Sequence, residues 1–562
     1  MPGDGLTHTP VSRASRPTPT PTATDDVLAG LSDAQVAAVT TTAAPLAIVA
    51  GPGSGKTRVL TRRVAYRCLT GDAEPAHTLV VTFSRRAASE LLDRLARLGL
   101  PVGARQSGVT AGTFHALAFA ELSRHRAERG LPAVRVLGRP ARLIGPALAG
   151  VLGRDPFPDE LTDVAGRISR GEVDDPVVSA TAAAYVQAKR TRRVLDLDDL
   201  LADCARLLTE DDEAGRAARW RHRHVFVDEY QDLNPAHRRL LNAWVGHRPD
   251  VCIVGDPDQA IYGFNGASPD LFERVTQDWP QATIVTLSDN FRSTPEIVAL
   301  ATAVRGSGGV SRRPPGPVPT VTAHTTDLAE AAAVAEAISA RRVPGSSWSG
   351  VAVLARTNAR LRMVASALDQ LCVPWRLRDP RPLADRPAVR AWLSAVPDKS
   401  PVADLGEHVA EDAVVSDGAA LIRAVAEFRA VAPMGTVGGF ASWLDATGVT
   451  ADEGDGTGVD LATFHRAKGL EWPAVWVIGV EDGLVPLAGA DVAEEQRLLY
   501  VALTRASDEL SVSWTGRRGR SGCRRSPWID DIERARAALA SEPAPAVQRL
   551  RFDELLRGLK AS

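Results

Sequence analysis

The 562-residue sequence is short of lysine: of 66 basic residues only Lys56, Lys189, Lys399, Lys468 and Lys560 are lysine, and the other 61 are arginine. Cysteine is also sparse, with Cys68, Cys204, Cys252, Cys372 and Cys523 widely scattered. They form no C-x-x-C pair and no close-spaced framework, which excludes a disulfide scaffold or zinc knuckle and favours a reducing compartment. No apolar run reaches 18 residues, and the first 25 residues, rich in Pro, Thr and Ser, lack the apolar segment of a signal peptide. No membrane association is expected, and the cytoplasm is the expected location. Charge of one sign is lacking too. With 66 Lys+Arg against 68 Asp+Glu the net charge is −2, so any polyanion site must be local.

What remains is ordinary globular composition, 44% hydrophobic and 24% charged, in a chain long enough for several domains. The leader 1–25 has too little to bury and is expected to be disordered. Beyond it, PLAIVA (45–50), TLVVTF (78–83), HVFVDE (224–229), VCIVGD (251–256) and TIVTL (283–287) are continuous apolar runs of the kind found in parallel sheets covered on both faces. Residues 115–224 are Ala-, Arg- and Leu-rich with helical period and read as an insertion. A second α/β unit is expected to begin near Thr283 and to include GVAVLAR (350–356) and AVWVIGV (474–480). Its interior, about 386–455, holds short helical pieces and the acidic turn DEGDG (452–456).

The first strand runs into GPGSGKT (51–57) and then a helix. Glycines Gly53 and Gly55, with Ser54 between them, let backbone N–H groups curl around an anion. Lys56 then reaches the terminal phosphates and the Thr57 hydroxyl a Mg²⁺ ion. The strict phosphate-loop pattern has glycine where this chain has Ala50, so the match is to a variant. Such a loop needs a carboxylate at another strand end to hold the metal. VFVDE supplies Asp228, and beside it Glu229 as base for an attacking water. ATP and Mg²⁺ are the expected cofactors. His222 and His224 have no third ligand in view and read as strand histidines; Asp198 and Asp199 read as helix N-terminal residues.

Ten blocks in order, LSDAQ, AGPGSGKTR, VTFSRRAASEL, GTFHALA, VFVDEYQDLN, VGDPDQAIYGFNGA, DNFRSTPEI, VLARTNAR, TFHRAKGLEW and EEQRLLYVALTRA, resemble the superfamily 1 helicases of the UvrD/Rep/PcrA type. The resemblance implies an α/β fold of two RecA-like P-loop parallel-sheet lobes with inserted helical subdomains. The implied bounds are 26–115 with 205–282 for the first lobe, 116–204 for its insertion, 283–385 with 456–530 for the second lobe, a reduced accessory insertion at 386–455, and a tail at 531–562.

At matching positions the resemblance implies Gln35 as adenine reader, Phe291 as the ring stacked on it, and Arg58 and Glu471 on the base and ribose sides. Gln259 is implied as γ-phosphate sensor, and Arg292 and Arg505 as arginine fingers from the second lobe. For single-stranded DNA it implies stacking by Phe83, Phe114, Tyr262 and Phe264, and backbone contacts by Thr113, His115, Arg356, Asn358 and His465. Asn265 stands where relatives carry arginine. The expected activity is ATP-driven 3′→5′ translocation and unwinding of DNA at single strands and ss/ds junctions, in repair or recombination. The alternatives are a translocase that strips proteins from DNA and a nucleotide-gated scaffold.

Overall fold

In the computed structural model, which describes residues 21–541 apart from 104–106, 249, 264–265, 343–346, 379–381, 404, 406–417, 433–434 and 451–456, two six-stranded sheets carry the chain. Phe264, Asn265, the DEGDG turn and the segment 542–562 lie outside the described residues, as do residues 1–20 of the leader.

The first sheet contains β1 (Leu46–Ala50), β2 (Thr78–Thr82), β3 (Thr110–Thr113), β4 (His224–Val227), β5 (Val251–Gly255) and β6 (Thr283–Leu287) in the order β3-β2-β4-β5-β1-β6. All pairings are parallel. The apolar runs β1, β2, β4 and β5 are central and buried, as their composition requires. Two edge strands depart from the sequence reading. The segment TAGT of β3 has no apolar run, yet it closes one edge. The strand at Thr283, expected to open the second unit, pairs with β1 on the other edge. Its mostly exposed residues read as a strand, but a strand pattern does not name its neighbour. The crossing to the second lobe therefore begins after Leu287.

The second sheet is also parallel, ordered Trp375–Leu377, Val459–Thr463, Val351–Ala355, Trp472–Ile478, Ala506–Thr515 and Thr320–His324. The helix Ile529–Ser541 sends Ile529 and Ile532 into its core, so residues up to 541 belong to this lobe and not to a tail. At the other end of the chain, the helix Pro21–Leu28 buries Val27, and Arg62 donates to the Val27 carbonyl at 2.6 Å. Order thus begins earlier than residue 26.

Within the first insertion, only the helices Ala141–Leu152, Pro158–Arg170 and Pro176–Arg192 build a separate core, around Leu143, Ile144, Leu148, Val164, Val178 and Tyr185. The helices Phe114–Glu128 and Leu197–Glu210 pack into the first lobe. Lys189 closes the small subdomain, bonding Asp196 at 2.5 Å and Asp199 at 2.6 Å. Those carboxylates cap the next helix through a reciprocal Asp196–Asp199 box, which confirms Asp198 and Asp199 as first-turn residues. His222 and His224 meet Glu121 at 3.0 Å and Asp250 at 2.5 Å, partners that explain their burial.

The reduced accessory insertion is where composition was least informative. Its helices Pro387–Ala395, Gly418–Val431 and Val437–Thr447 dock on the first lobe and share its apolar core. Phe428 lies 6.5 Å from Phe119 between ring centroids, and Arg85 sits 4.8 Å above Trp443 while pairing with Glu427. Arg139 reaches Asp385 at 2.5 Å. A segment that leaves and re-enters the second sheet thus forms a strap onto the first lobe. Among the described residues no helix is long and apolar enough to cross a membrane.

Because Phe428 is buried among residues of both segments, Phe428→Ala is expected to cost about 3–5 kcal/mol. A lowered denaturant midpoint for the first lobe would show the shared core; loss confined to a separate minor transition would show that the strap folds alone.

Candidate nucleotide site and nucleic-acid groove

The phosphate loop joins the end of β1 to the helix Lys56–Leu69, whose first-turn N–H groups point into the curl. Gly53 and Gly55 hold φ of 73° and 81°, a region that glycine enters without penalty. At Gly53 a Cβ would lie 2.4 Å from Asn290 Oδ1 and 2.9 Å from Arg292 Cβ, so the loop is in close contact with the segment leading into the second lobe. Phe291 N–H donates to the Gly53 carbonyl at 2.8 Å across the same contact.

Parallel register brings the ends of β4 and β5 alongside. Thr57 Oγ1 donates to Asp228 Oδ2 at 3.1 Å. Two hard oxygen donors converging in this way, one of them a buried carboxylate, fit a Mg²⁺ ion that completes its shell with phosphate and water. Burial, and then the neighbouring charge of Glu229, push the Asp228 carboxyl up to about 7. Burial acts on Glu229 in the same direction, but Lys468 and Lys56 outweigh it and hold this carboxyl below its ordinary value. Gln231 Nε2 donates to Glu229 Oε2 at 2.5 Å, and Gln231 Oε1 accepts from Asp256 N–H at 2.9 Å. Lys56 Nζ donates to the carbonyl of Ala50 at 3.1 Å and lies 3.8 Å from Asp256.

The second lobe closes the site. Arg505 is buried, its guanidinium donating to Val501 O at 3.0 Å, Leu470 O at 3.2 Å and, at 3.5 Å, Gln259 Oε1. Burial, with the charge of Arg292 next, brings it down to about 9. Arg292 pairs with Glu471 at 2.6 Å and donates to Thr504 O at 3.2 Å. Gln259 donates to Asp256 at 2.6 Å, and Phe291 is 40% exposed at the mouth. Gln35 is bound into the loop: its Nε2 donates to Ser54 O at 2.8 Å and its Oε1 accepts from Ser32 N–H at 3.0 Å. Each end of the amide thus has one partner, and keeps a second N–H and a second lone pair. Arg58 lies at the rim, donating to Ala29 O at 3.4 Å.

The comparisons with known proteins follow this geometry. Residues 31–139 and 158–280 match the UvrD/REP helicase N-terminal domain, and residues 426–517 the UvrD-like helicase C-terminal domain. The chain is 32% identical over 612 residues to the ATP-dependent DNA helicase UvrD2 of Mycobacterium tuberculosis, covering 94% of this chain and 84% of that one. It is 27% identical to UvrD1 of the same organism, over 88% and 83% of the two chains. With DNA helicase II of Escherichia coli it shares 25% identity, over 87% and 85%. This chain belongs to the UvrD family of superfamily 1 helicases. It is therefore an ATP-hydrolysing helicase, and its two sheets are the RecA-like lobes.

On the groove side of this UvrD-type helicase, Phe83 follows β2 and stacks on Tyr262, with centroids 5.3 Å apart and planes at 18°. His115 meets His237 edge-on at 5.4 Å, and burial takes His115 down to about 4. Thr113 caps the helix Phe114–Glu128 by accepting from Ala116 N–H at 3.3 Å. Phe114 departs from the expectation. Only 2% exposed, it packs on Trp244 and His237 in the first-lobe core, because the first turn of its helix faces inward; it has no face for a base. Arg356 is held by the buried Glu495, to which its guanidinium donates at 2.7 and 3.0 Å. Asn358 opens the helix Asn358–Gln370, half-buried, and burial takes His465 down to about 4.

Sequence reasoning did not assign Asn290, Gln231, Asp256, Asp232 or Lys468. Asn290 Oδ1 accepts from Arg292 and Ser293 N–H, both at 2.9 Å, and so orients the arginine. Lys468 was findable, since any lysine in this chain is unusual.

Gly53→Ala would either leave the positive-φ region or displace Asn290. We expect ATP affinity to fall about tenfold or more, from a strain of about 1–3 kcal/mol. Titration with a fluorescent ATP analogue measures this, and unchanged affinity would remove Gly53 from the closure.

Proposed function

We propose that this helicase is a 3′→5′ single-stranded DNA translocase that opens duplexes at ss/ds junctions, in DNA repair or recombination, by coupling Mg-ATP hydrolysis at the lobe interface to lobe movement. Gly53, Ser54, Gly55 and Lys56 hold the phosphates; Thr57 and Asp228 hold the magnesium ion. Bound there, the ion neutralises phosphate charge and orients the terminal group. Glu229 accepts the proton of the attacking water as the bond from the γ-phosphorus to the ADP oxygen breaks. Gln259, Arg292 and Arg505 stabilise the charge spread over the transferring oxygens. Gln35, Arg58, Phe291 and Glu471 surround the base and ribose. Phe83 and Tyr262 stack bases without reading sequence, while Thr113, His115, Asn358 and His465 line the backbone path.

The observation that carries this reading is the position of Arg505. A buried guanidinium from the second lobe, 3.5 Å from Gln259 beside the β5 end, is useful there only if an anion arrives between the lobes. A second reading, displacement of bound proteins without unwinding, draws support from the strap. An accessory segment committed to the first lobe's core leaves little surface free for a duplex.

With a 3′-tailed and a 5′-tailed duplex as substrates, we expect unwinding of the former alone, abolished by Lys56→Ala. Arg505→Ala should lower kcat for ATP by about 10³-fold or more. Equal activity on both tails would reject the polarity. Release of streptavidin from a biotinylated single strand without any duplex opening would establish the second reading.

A further inference from the structure

Lys468 has no place in the scheme above, yet it occupies the junction of every part of it. It comes from the second lobe, in the turn after Val459–Thr463, and its side chain is buried against the first. Its ammonium donates to both oxygens of Asp232, at 2.7 and 2.6 Å, and to the carbonyl of Gln259 at 2.7 Å. Three donors are then fully used. It also lies 5.2 Å from the Tyr262 ring centroid and 4.0 Å from Glu229 Oε2.

Each partner belongs to a different functional element. Asp232 ends the single helical turn Tyr230–Asp232, whose N-cap is Glu229, held at φ 53° and ψ 44°. A left-handed backbone at a non-glycine residue persists only where its surroundings enforce it, and Asp232 anchored by Lys468 is one such constraint. Gln259 is the residue that faces Arg505. Tyr262 is half of the ring pair with Phe83. A compact ammonium suits this place, because it satisfies both oxygens of one carboxylate and a backbone carbonyl while resting on a π face.

We infer that Lys468 is a positioning residue that transmits the stacking state of the Phe83–Tyr262 pair to Glu229 and Gln259, so that a DNA base on those rings sets the geometry for hydrolysis. A base that takes the place of Phe83 against Tyr262 moves the ring on which the ammonium rests. The ammonium is tethered to Asp232 and Gln259, so both follow. The effect requires that single-stranded DNA occupies that groove, and so rests on the proposed function.

The test compares steady-state ATP hydrolysis with and without oligo(dT) for wild type, Lys468→Met, Tyr262→Leu, the Lys468→Met/Tyr262→Leu pair and Lys468→Met/Asp232→Asn. The last removes both members of the ion pair and so leaves no uncompensated buried carboxylate. Lys468→Met is expected to lower the ratio of DNA-stimulated to basal kcat by about tenfold, with half-saturating DNA changed by less than about threefold. Tyr262→Leu should reduce the same ratio, and the pair of substitutions should reduce it no further than Lys468→Met alone. Lys468→Met/Asp232→Asn should recover the thermal midpoint without recovering the ratio. Recovery of the ratio along with the midpoint would mean that the lysine only neutralises Asp232, and would overturn the inference. So would a Lys468→Met enzyme as strongly stimulated as wild type. A wild type that oligo(dT) does not stimulate would overturn the DNA-motor reading, and this inference with it.

Discussion

Charge buried between two lobes must be matched, and the rest of the structure is arranged around that requirement. Asp228, Glu229, Asp232 and Asp256 come to the interface from the first lobe, along with Lys56; Lys468 and Arg505 come from the second, with Arg292 on the segment that joins them. Removing one partner of a buried pair is far more costly than never having made it. Lys468 and Asp232 therefore join the lobes directly, while Lys56 meets Ala50 O and Asp256, Arg292 meets Glu471 and Thr504 O, and Arg505 donates to Val501 O, Leu470 O and Gln259.

The strap adds a second tie. Besides the direct crossing near residues 288–294, the segment 382–450 leaves the second sheet and sinks Phe428, Phe440 and Trp443 into the core of the first lobe. Any relative motion of the lobes has to be taken up in the chain on either side of that docked block, since an apolar core of this kind does not slide. The docked insertion is thus part of the frame.

Lysine and arginine divide the work by shape. Lys56 donates to the Ala50 and Gly51 carbonyls within the glycine loop. Lys189 bridges two aspartates at a helix cap, and Lys468 gathers three oxygens from two elements. Arginine takes the paired-oxygen positions, as Arg356 does on Glu495 and Arg238 on Asp278. At Lys56, Lys189 and Lys468 the lysine supplies a compact point charge to several oxygens at once.

Linear spacing determined the phosphate loop, the carboxylates after β4, the four apolar central strands and the family, because each depends on chemistry within a few residues of chain. Tertiary structure decided the rest. It put β6 on the first sheet, turned Phe114 into the core, bound Arg356 to Glu495, set Gln35 against the phosphate loop and joined the accessory helices to the far lobe. None of these could be read locally. An edge strand pairs with whichever neighbour the sheet leaves open, an aromatic at a motif position faces inward or outward according to helix phase, and a buried charge finds its counterpart hundreds of residues away.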